Sequence, residues 1–304
     1  MKPRAILFGP FVGEMYWECG RFAPMLPYYK YKKYKGQDIK YIILTREERF
    51  DMYGCYADIF VPLRIEGDYI DKCPNCFRLD GYSIEQYQRV AKNFRRKYEE
   101  TYEIVEHVYP NIDKRNYVNK NQYNNKYMIF DYKPRIENYN LVNEYLPKND
   151  KPLIIIAPRY RKGFKRNWGG WQEFYDLIER NSSVKDYFNI VICGKKGEYI
   201  PDEKHRFLDM ADIQLGSKSS TIGILLALME KAVFVFGSQS AIPNIALLYG
   251  VEVLEFGCQK TLHTKTYNIK NTPITFIENK SYDIQPRVIF EQFKKLVFRK
   301  RLKN

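Results

Sequence analysis

No stretch of the chain approaches the roughly 20 consecutive apolar residues that a membrane-spanning helix needs. The N-terminus, "MKPRAILFGPF", has neither a long enough apolar segment nor a small-residue cleavage site, so no export signal is read and a cytoplasmic location is expected. Neither GxxxxGK(S/T) nor GxGxxG occurs, which excludes the P-loop and the dinucleotide fingerprint as the source of any nucleotide affinity. Cysteine is equally uninformative. Of six cysteines only Cys73 and Cys76 are close, and no second CxxC or Cys/His pair follows at zinc-finger spacing. The six are read as ordinary reduced thiols, and no metal is expected.

What is present is a chain of 304 residues, 45% hydrophobic. That length fits two domains of about 150 residues each, and that hydrophobic content is ample for burial. A net charge of +14 and a pI of about 9.3 favour anionic partners. The abundance of Lys, Asn, Tyr and Ile offers a compositional cause for the same charge, which then implies only solubility and non-specific attraction.

The organisation is that of parallel α/β domains. "PLIIIAP" (152–158), "FNIVICG" (188–194), "AVFVF" (232–236) and "EVLEF" (252–256) are short apolar runs of strands buried on both faces. "WQEFYDLIER", "SSTIGILLALMEK" and the segment after Ser240 are predicted helices between them, with "KHRFLDM" a short helix and "ADIQLG" a short strand. Ser240 can cap its helix, Pro243 is tolerated in the first turn, and Gly250 stands at the C-cap. In the first half "RAILFG" (4–9), "IKYIILT" (39–45), "ADIFVPL" (57–63) and "YMIFDY" (127–132) read as strands. Helices are predicted over Glu18–Tyr34, from near Arg46, and from a Ser83/Gln86 capping box through Ile84, Tyr87, Ala91, Phe94, Tyr98 and Val105. The expected architecture is α/β, with two Rossmann-like parallel-sheet domains facing a cleft. Their spans are 1–145 and 146–304, with a C-terminal helix that could cross back to the first domain.

In open parallel sheets ligands bind beyond the carboxyl ends of the strands. Here those loops read "PRYRKGFKRNW", "GKKGE", "GSKSS", "GSQS" and "GCQKTLHTKT". They are polar, small or basic, with no run of carboxylates, so this edge should attract a phosphorylated ligand. Arg159, Arg161, Lys165 and Arg166 supply cations. Ser238, Gln239 and Ser240 open a helix whose unpaired N–H groups and partial positive charge bind phosphate without a metal; simple capping by Ser240 is the plainer account. Glu255 at a strand end can accept both hydroxyls of a ribose, or pair with a neighbouring Lys and do nothing else. His263 can reach the same edge or lie on the surface. In the first half "GPFVGEMYWECGRFAPML" places Glu14 and Glu18 in an apolar, aromatic loop, which raises a carboxyl pKa toward the range of a general base. Glu14 is the first choice for that base. Glu18 is the substitute, with helix N-terminal electrostatics its alternative role.

With these pieces the chain resembles glycosyltransferases of the two-Rossmann-domain GT-B type, and within them heptosyltransferase-like enzymes. It is also similar to bacterial and viral glycan enzymes that carry a "GEFGWE"-like loop. The resemblance rests on "GEMYWE" (13–18), on "RNW" (166–168), and on "FGSQSAIPNIALLYGVEVLEFG". It implies a nucleotide-sugar donor in the C-terminal domain, a glycan acceptor in the N-terminal one, metal-independent transfer and inversion at the anomeric carbon. Glu14 matches the base position, the four cations the diphosphate contacts, and Ser238 to Ser240 the phosphate-binding helix. The usual Asp-Thr-Gly and nearby His of heptosyltransferases are replaced by Gly-Ser-Gln-Ser, which leaves the donor sugar unassigned.

Two other readings stay open. The acceptor can be hydroxymethylated DNA, a use suggested by the charge and by "YYKYKKYKGQDIK" (28–40). From another class, the protein can be a non-catalytic binder of nucleic acid or other polyanions. The C-terminal helix (286–303) carries Ile289, Phe293, Leu296 and Val297 on one face and runs into "FRKRLK". That run is a solvated helix end or a peripheral contact for membrane or nucleic acid.

Overall fold

Continuous apolar runs become strands covered on both faces. The computed structural model describes residues 1–11, 18–63, 84–110, 125–159, 167–193, 208–209 and 221–302. Among these the strands are β1 (Arg4–Phe8), β2 (Ile39–Thr45), β3 (Ile59–Pro62), β4 (Glu103–Val108), β5 (Leu153–Ala157), β6 (Asn189–Ile192), β7 (Leu208–Asp209), β8 (Ala232–Ser238), β9 (Glu252–Gly257) and β10 (Ile274–Glu278). The α-helices are α1 (Met25–Tyr28), α2 (Ile84–Glu99), α3 (Ile136–Tyr145), α4 (Trp171–Glu179), α5 (Ser182–Lys185), α6 (Thr221–Met229), α7 (Ala241–Tyr249) and α8 (Pro286–Arg301). They build two sheets, in the orders β3-β2-β1-β4 and β10-β9-β8-β5-β6-β7. Each recorded strand pair is parallel. The expected α/β architecture of two parallel-sheet domains is what the chain forms.

The chain divides into two compact units, one built mainly on Met1–Ile136 and the other on most of Glu137–Asn304. The division falls at the start of α3, ahead of the 145–146 junction expected. In the first unit Ala5, Leu7, Ile42 and Leu44 pack against Tyr87 and Phe94 of α2. In the second, Trp171 and Phe174 of α4 and Phe293 of α8 close over Phe234 and Phe236 of β8. The C-terminal helix packs into the core of its own unit.

Four local expectations are corrected. The helical spacing through Tyr98 does not extend to Val105: α2 ends at Glu99, and Val105 lies in β4 beside β1. Thr101 and Tyr102 bond back to the Tyr98 carbonyl to close the helix, and the chain then extends as β4. Residues 128–132 enter neither sheet. They are held by Ile129 N–H on the Pro24 carbonyl at 2.9 Å and by Tyr132 Oη on the Cys19 carbonyl at 2.6 Å. Leu208–Asp209 is a strand beside β6, where a short helix is predicted. The helix expected from Arg46 is two 3-10 turns, Glu47–Met52 and Gly54–Tyr56.

The segment 18–33 is helical as expected, yet with π turns at Glu18–Phe22 and Tyr29–Lys33. Pro24 and Pro27 supply no N–H, and wider closures form around them, Ala23 N–H to the Glu18 carbonyl at 2.8 Å and Tyr34 N–H to the Tyr29 carbonyl at 2.9 Å. No helix among the described residues is long and apolar enough to cross a membrane.

Candidate functional site

Parallel pairing brings the carboxyl ends of a sheet's strands to one edge. In the second unit the register aligns Ala157 with Gly237, Gly237 with Glu255, and Glu255 with Phe276. Gly237 is glycine because its neighbours leave no room. A Cβ there would sit 2.9 Å from the Ala157 carbonyl oxygen and 3.0 Å from Pro243 Cγ. α7 thus approaches the sheet closely, and its N-terminus opens directly at the edge. Gly250, in the left-handed region, ends this helix as expected (φ 85°).

Ser240 occupies the N-cap in extended conformation, but its hydroxyl makes no capping hydrogen bond. The simpler account of this serine is therefore corrected. The Glu255 carboxyl lies at this turn, where the Ser240 N–H favours its charged form. Next door, Ser238 Oγ and Asn244 Oδ1 are buried with no hydrogen-bond partner among the described residues. An unsatisfied buried hydroxyl or amide oxygen is costly, and clusters of them mark places completed by something else. Asn244 spends its amide group on the Ser240 carbonyl at 2.9 Å.

The structure brings Arg159 to the same turn. Its guanidinium donates to the Gln239 carbonyl, so a half-buried cation stands beside the α7 N-terminus. Gln239 and Ser238 are themselves buried, while Ser240 is half exposed. A cation, the positive end of a helix and a hydroxyl not spent on capping form an arrangement suited to phosphate oxygens.

Glu255 and His263 are both turned inward, 0% and 2% exposed. His263 Nδ1 and Glu255 Oε2 share a hydrogen bond at 2.9 Å; Oε1 is equally near to Nδ1 but makes no hydrogen bond. Burial pushes the Glu255 carboxyl above the usual range, while His263 and the Ser240 N–H draw it partly back. The His263 ring packs against Tyr267 and Phe276. A surface position for His263 is corrected. Glu255 would have to leave both partners to meet a ribose, and its geometry gives it an inner role, fixing the Ser240 amide and the His263 ring.

In the first unit Glu18 is 0% exposed. Its carboxylate accepts from Thr45 Oγ1, from Arg49 Nη1 at 2.7 Å and from Tyr53 Oη at 2.6 Å. Three donors from the β2 exit and the turn after it occupy this group, which is the setting of an anchor for the start of segment 18–33. Burial pushes the adjacent Cys19 thiol up to about 12, which keeps it inert. Glu14, Arg161, Lys165, Arg166, Cys73 and Cys76 lie outside the described residues. Among the described residues no group of His, Cys, Asp and Glu could hold a metal ion.

Sequence reading missed Asn244, Gln259, Tyr282, Thr45, Arg49 and Tyr53. Gln259 falls within the flagged loop "GCQKTLHTKT", and Asn244 within "FGSQSAIPNIALLYGVEVLEFG". The others carry no motif, since their partners lie far along the chain.

No family model matches the chain, and no curated protein matches it. Solved structures do. The family 9 glycosyl transferase of Veillonella parvula DSM 2008 aligns at TM-score 0.58 and 10% identity, over 98% of this chain and 97% of its own. The E. coli ADP-heptose LPS heptosyltransferase II aligns at TM-score 0.57 and 10% identity, over 98% and 99%. E. coli heptosyltransferase WaaC, solved with ADP, aligns at TM-score 0.52 and 12% identity, over 96% and 99%. The chain thus has the GT-B fold along essentially its whole length.

Proposed function

We propose that this protein is a glycosyltransferase that moves a sugar from a nucleotide-sugar donor to a glycan hydroxyl. One observation carries the reading: Arg159 converges on the turn that opens α7, beside a Ser240 hydroxyl free of capping duty. A leaving nucleoside diphosphate gains negative charge as the glycosidic bond breaks. The Arg159 guanidinium and the α7 dipole are preorganised to meet that charge, so the reading requires no metal. In this reading Arg161, Lys165 and Arg166, from the same basic stretch of sequence as Arg159, are assigned to the diphosphate as well. Glu14 is assigned as the base that deprotonates the acceptor, with inversion following from direct attack, and Glu18 as the anchor next to it. Similarity of fold to heptosyltransferases, one solved with ADP, supports a nucleotide donor.

The test is a melting screen with UDP-, GDP-, ADP- and CMP-sugars, with and without a chelator. A ligand held only by the folded state raises the melting temperature. At least one donor should do so, undiminished by chelation. Indifference to all four would overturn the reading.

Ser240→Ala provides a second check. A used cap costs about 1 kcal/mol to remove, but here stability should change by less than about 0.5 kcal/mol. Affinity for the stabilising nucleotide should fall about tenfold, the value of a hydrogen bond to a charged oxygen. Calorimetric titration beside thermal unfolding separates the two effects.

A further inference from the structure

Gln239 is 3% exposed, and every polar atom it owns is engaged. Its N–H donates to the Phe256 carbonyl at 3.0 Å, and its own carbonyl accepts from Arg159. Side-chain Oε1 accepts from Cys258 N–H at 3.1 Å and from Tyr282 Oη at 2.7 Å. Side-chain Nε2 donates to Gln259 Oε1. One residue thereby joins the loop after β5, the turn between β8 and α7, the loop after β9 and the approach to α8.

The surroundings are shaped around it. Gly257 has no side chain where one would meet Gln239 Oε1 at 2.6 Å and Tyr282 Oη at 2.8 Å. Tyr282, 3% exposed, adopts a left-handed conformation (φ 60°) that is unfavourable for a residue with a Cβ. That conformation accompanies delivery of its hydroxyl to Gln239. Reversing the amide would turn a donor onto the Cys258 N–H, so the network selects a single orientation.

We infer that Gln239 is a positioning residue, holding Arg159, the Ser238–Ser240 turn and the β9 exit loop in one fixed relation that receives a nucleoside diphosphate. The inference rests on the donor-binding reading above. Buried, and with its Nε2 donor directed to Gln259, Gln239 acts on the diphosphate through its neighbours and not by touching it.

The test titrates ADP, UDP and GDP into the full chain and into three variants. Gln239→Met keeps the length of the side chain without the amide. Tyr282→Phe removes one donor and keeps the ring. Thr272→Val is the control, because it deletes a buried hydrogen bond to the Leu247 carbonyl (2.7 Å) at the opposite end of the sheet. A merely structural residue lowers the melting temperature and the fraction of binding-competent protein, but not the affinity of the molecules that remain folded.

Gln239→Met should raise Kd about tenfold and Tyr282→Phe about threefold, as expected for hydrogen bonds lost from a preorganised site. Thr272→Val should melt earlier with Kd unchanged. If both site variants keep the wild-type Kd while wild type binds, the inference fails and the donor reading stands. If wild type binds none of the three nucleotides, the donor reading fails and takes the inference with it. Should Gln239→Met not fold, the Kd of Tyr282→Phe decides alone.

Discussion

Replacing Glu18 by alanine should cost the first unit about 3–5 kcal/mol, the range for removing one partner of a buried ion pair. The carboxylate is fully enclosed and takes bonds from Thr45, Arg49 and Tyr53. Arg49 faces it with a side chain only 7% exposed. Alanine removes the counter-charge and leaves a guanidinium in a poorly solvated place, with two hydroxyls to be repartnered. Glu18→Gln keeps the shape and one acceptor oxygen, and should cost about half as much. Chemical denaturation followed by circular dichroism reads both losses as a fall in the denaturant midpoint. The pair also separates two roles. An anchor loses stability in the order Ala before Gln, whereas a base would lose turnover in both variants at little cost in stability.

Gly9→Ala should be worse, with the first unit losing more than about 4 kcal/mol, a size reserved for severe structural conflict. Gly9 leaves the central strand β1 with φ 102°, and a Cβ would stand 2.1 Å from the Leu44 carbonyl oxygen. That oxygen belongs to the backbone of β2, which is paired to β1 through Phe8 and Ile43 and cannot retreat alone. Gly9 is pinned from the other side as well, by its N–H on the Val108 carbonyl at 2.8 Å and by His107 Nε2 on its carbonyl at 2.7 Å. Gly36→Ala is the comparison, since φ is 76° there but nothing lies within 4 Å. It should cost only about 1–2 kcal/mol, the conformational part alone. Equal midpoints for the two variants would show that the approach to Leu44 is not what demands glycine.

Much of the fold was legible because burial on both faces leaves a plain mark. β5 is an unbroken apolar run, β8 is one as far as Phe236, and β9 is buried throughout after Glu252; their parallel order follows from the helices between them. β4 was hidden because Val105 happens to continue the helical spacing of α2, and only the backbone closure at Tyr98 stops it. The run at 127–132 has strand composition, yet its aromatic residues pack on segment 18–33, with Tyr127 against Tyr28 and Tyr132 on Cys19. Composition reports that a surface is covered, not what covers it.

At the candidate site the strand-end rule pointed to one edge, and the structure brings Arg159 to the turn that opens α7 there. Roles were less legible than places. Glu255 looked like a ligand contact because a carboxylate at a strand end often is one. A π turn at Leu262–Thr266 brings His263 back to it, and no spacing rule predicts that return. Tyr282 left no trace, since its service to Gln239 depends on a backbone conformation that its side chain disfavours.

The aromatic core of the second unit has an optical consequence. Trp168 and Trp171 lie there with ring centroids 4.9 Å apart, Trp168 donating its indole N–H to the Ile284 carbonyl at 2.8 Å. Trp171 Nε1 is buried without a partner. The two indoles should therefore emit at different wavelengths, Trp171 the bluer. Trp168 also touches Phe256, whose carbonyl receives the Gln239 N–H. With Trp17, the third tryptophan of the chain, replaced by phenylalanine, occupation of the α7 edge should then register as a change in the redder component of the protein's own fluorescence, with no label attached.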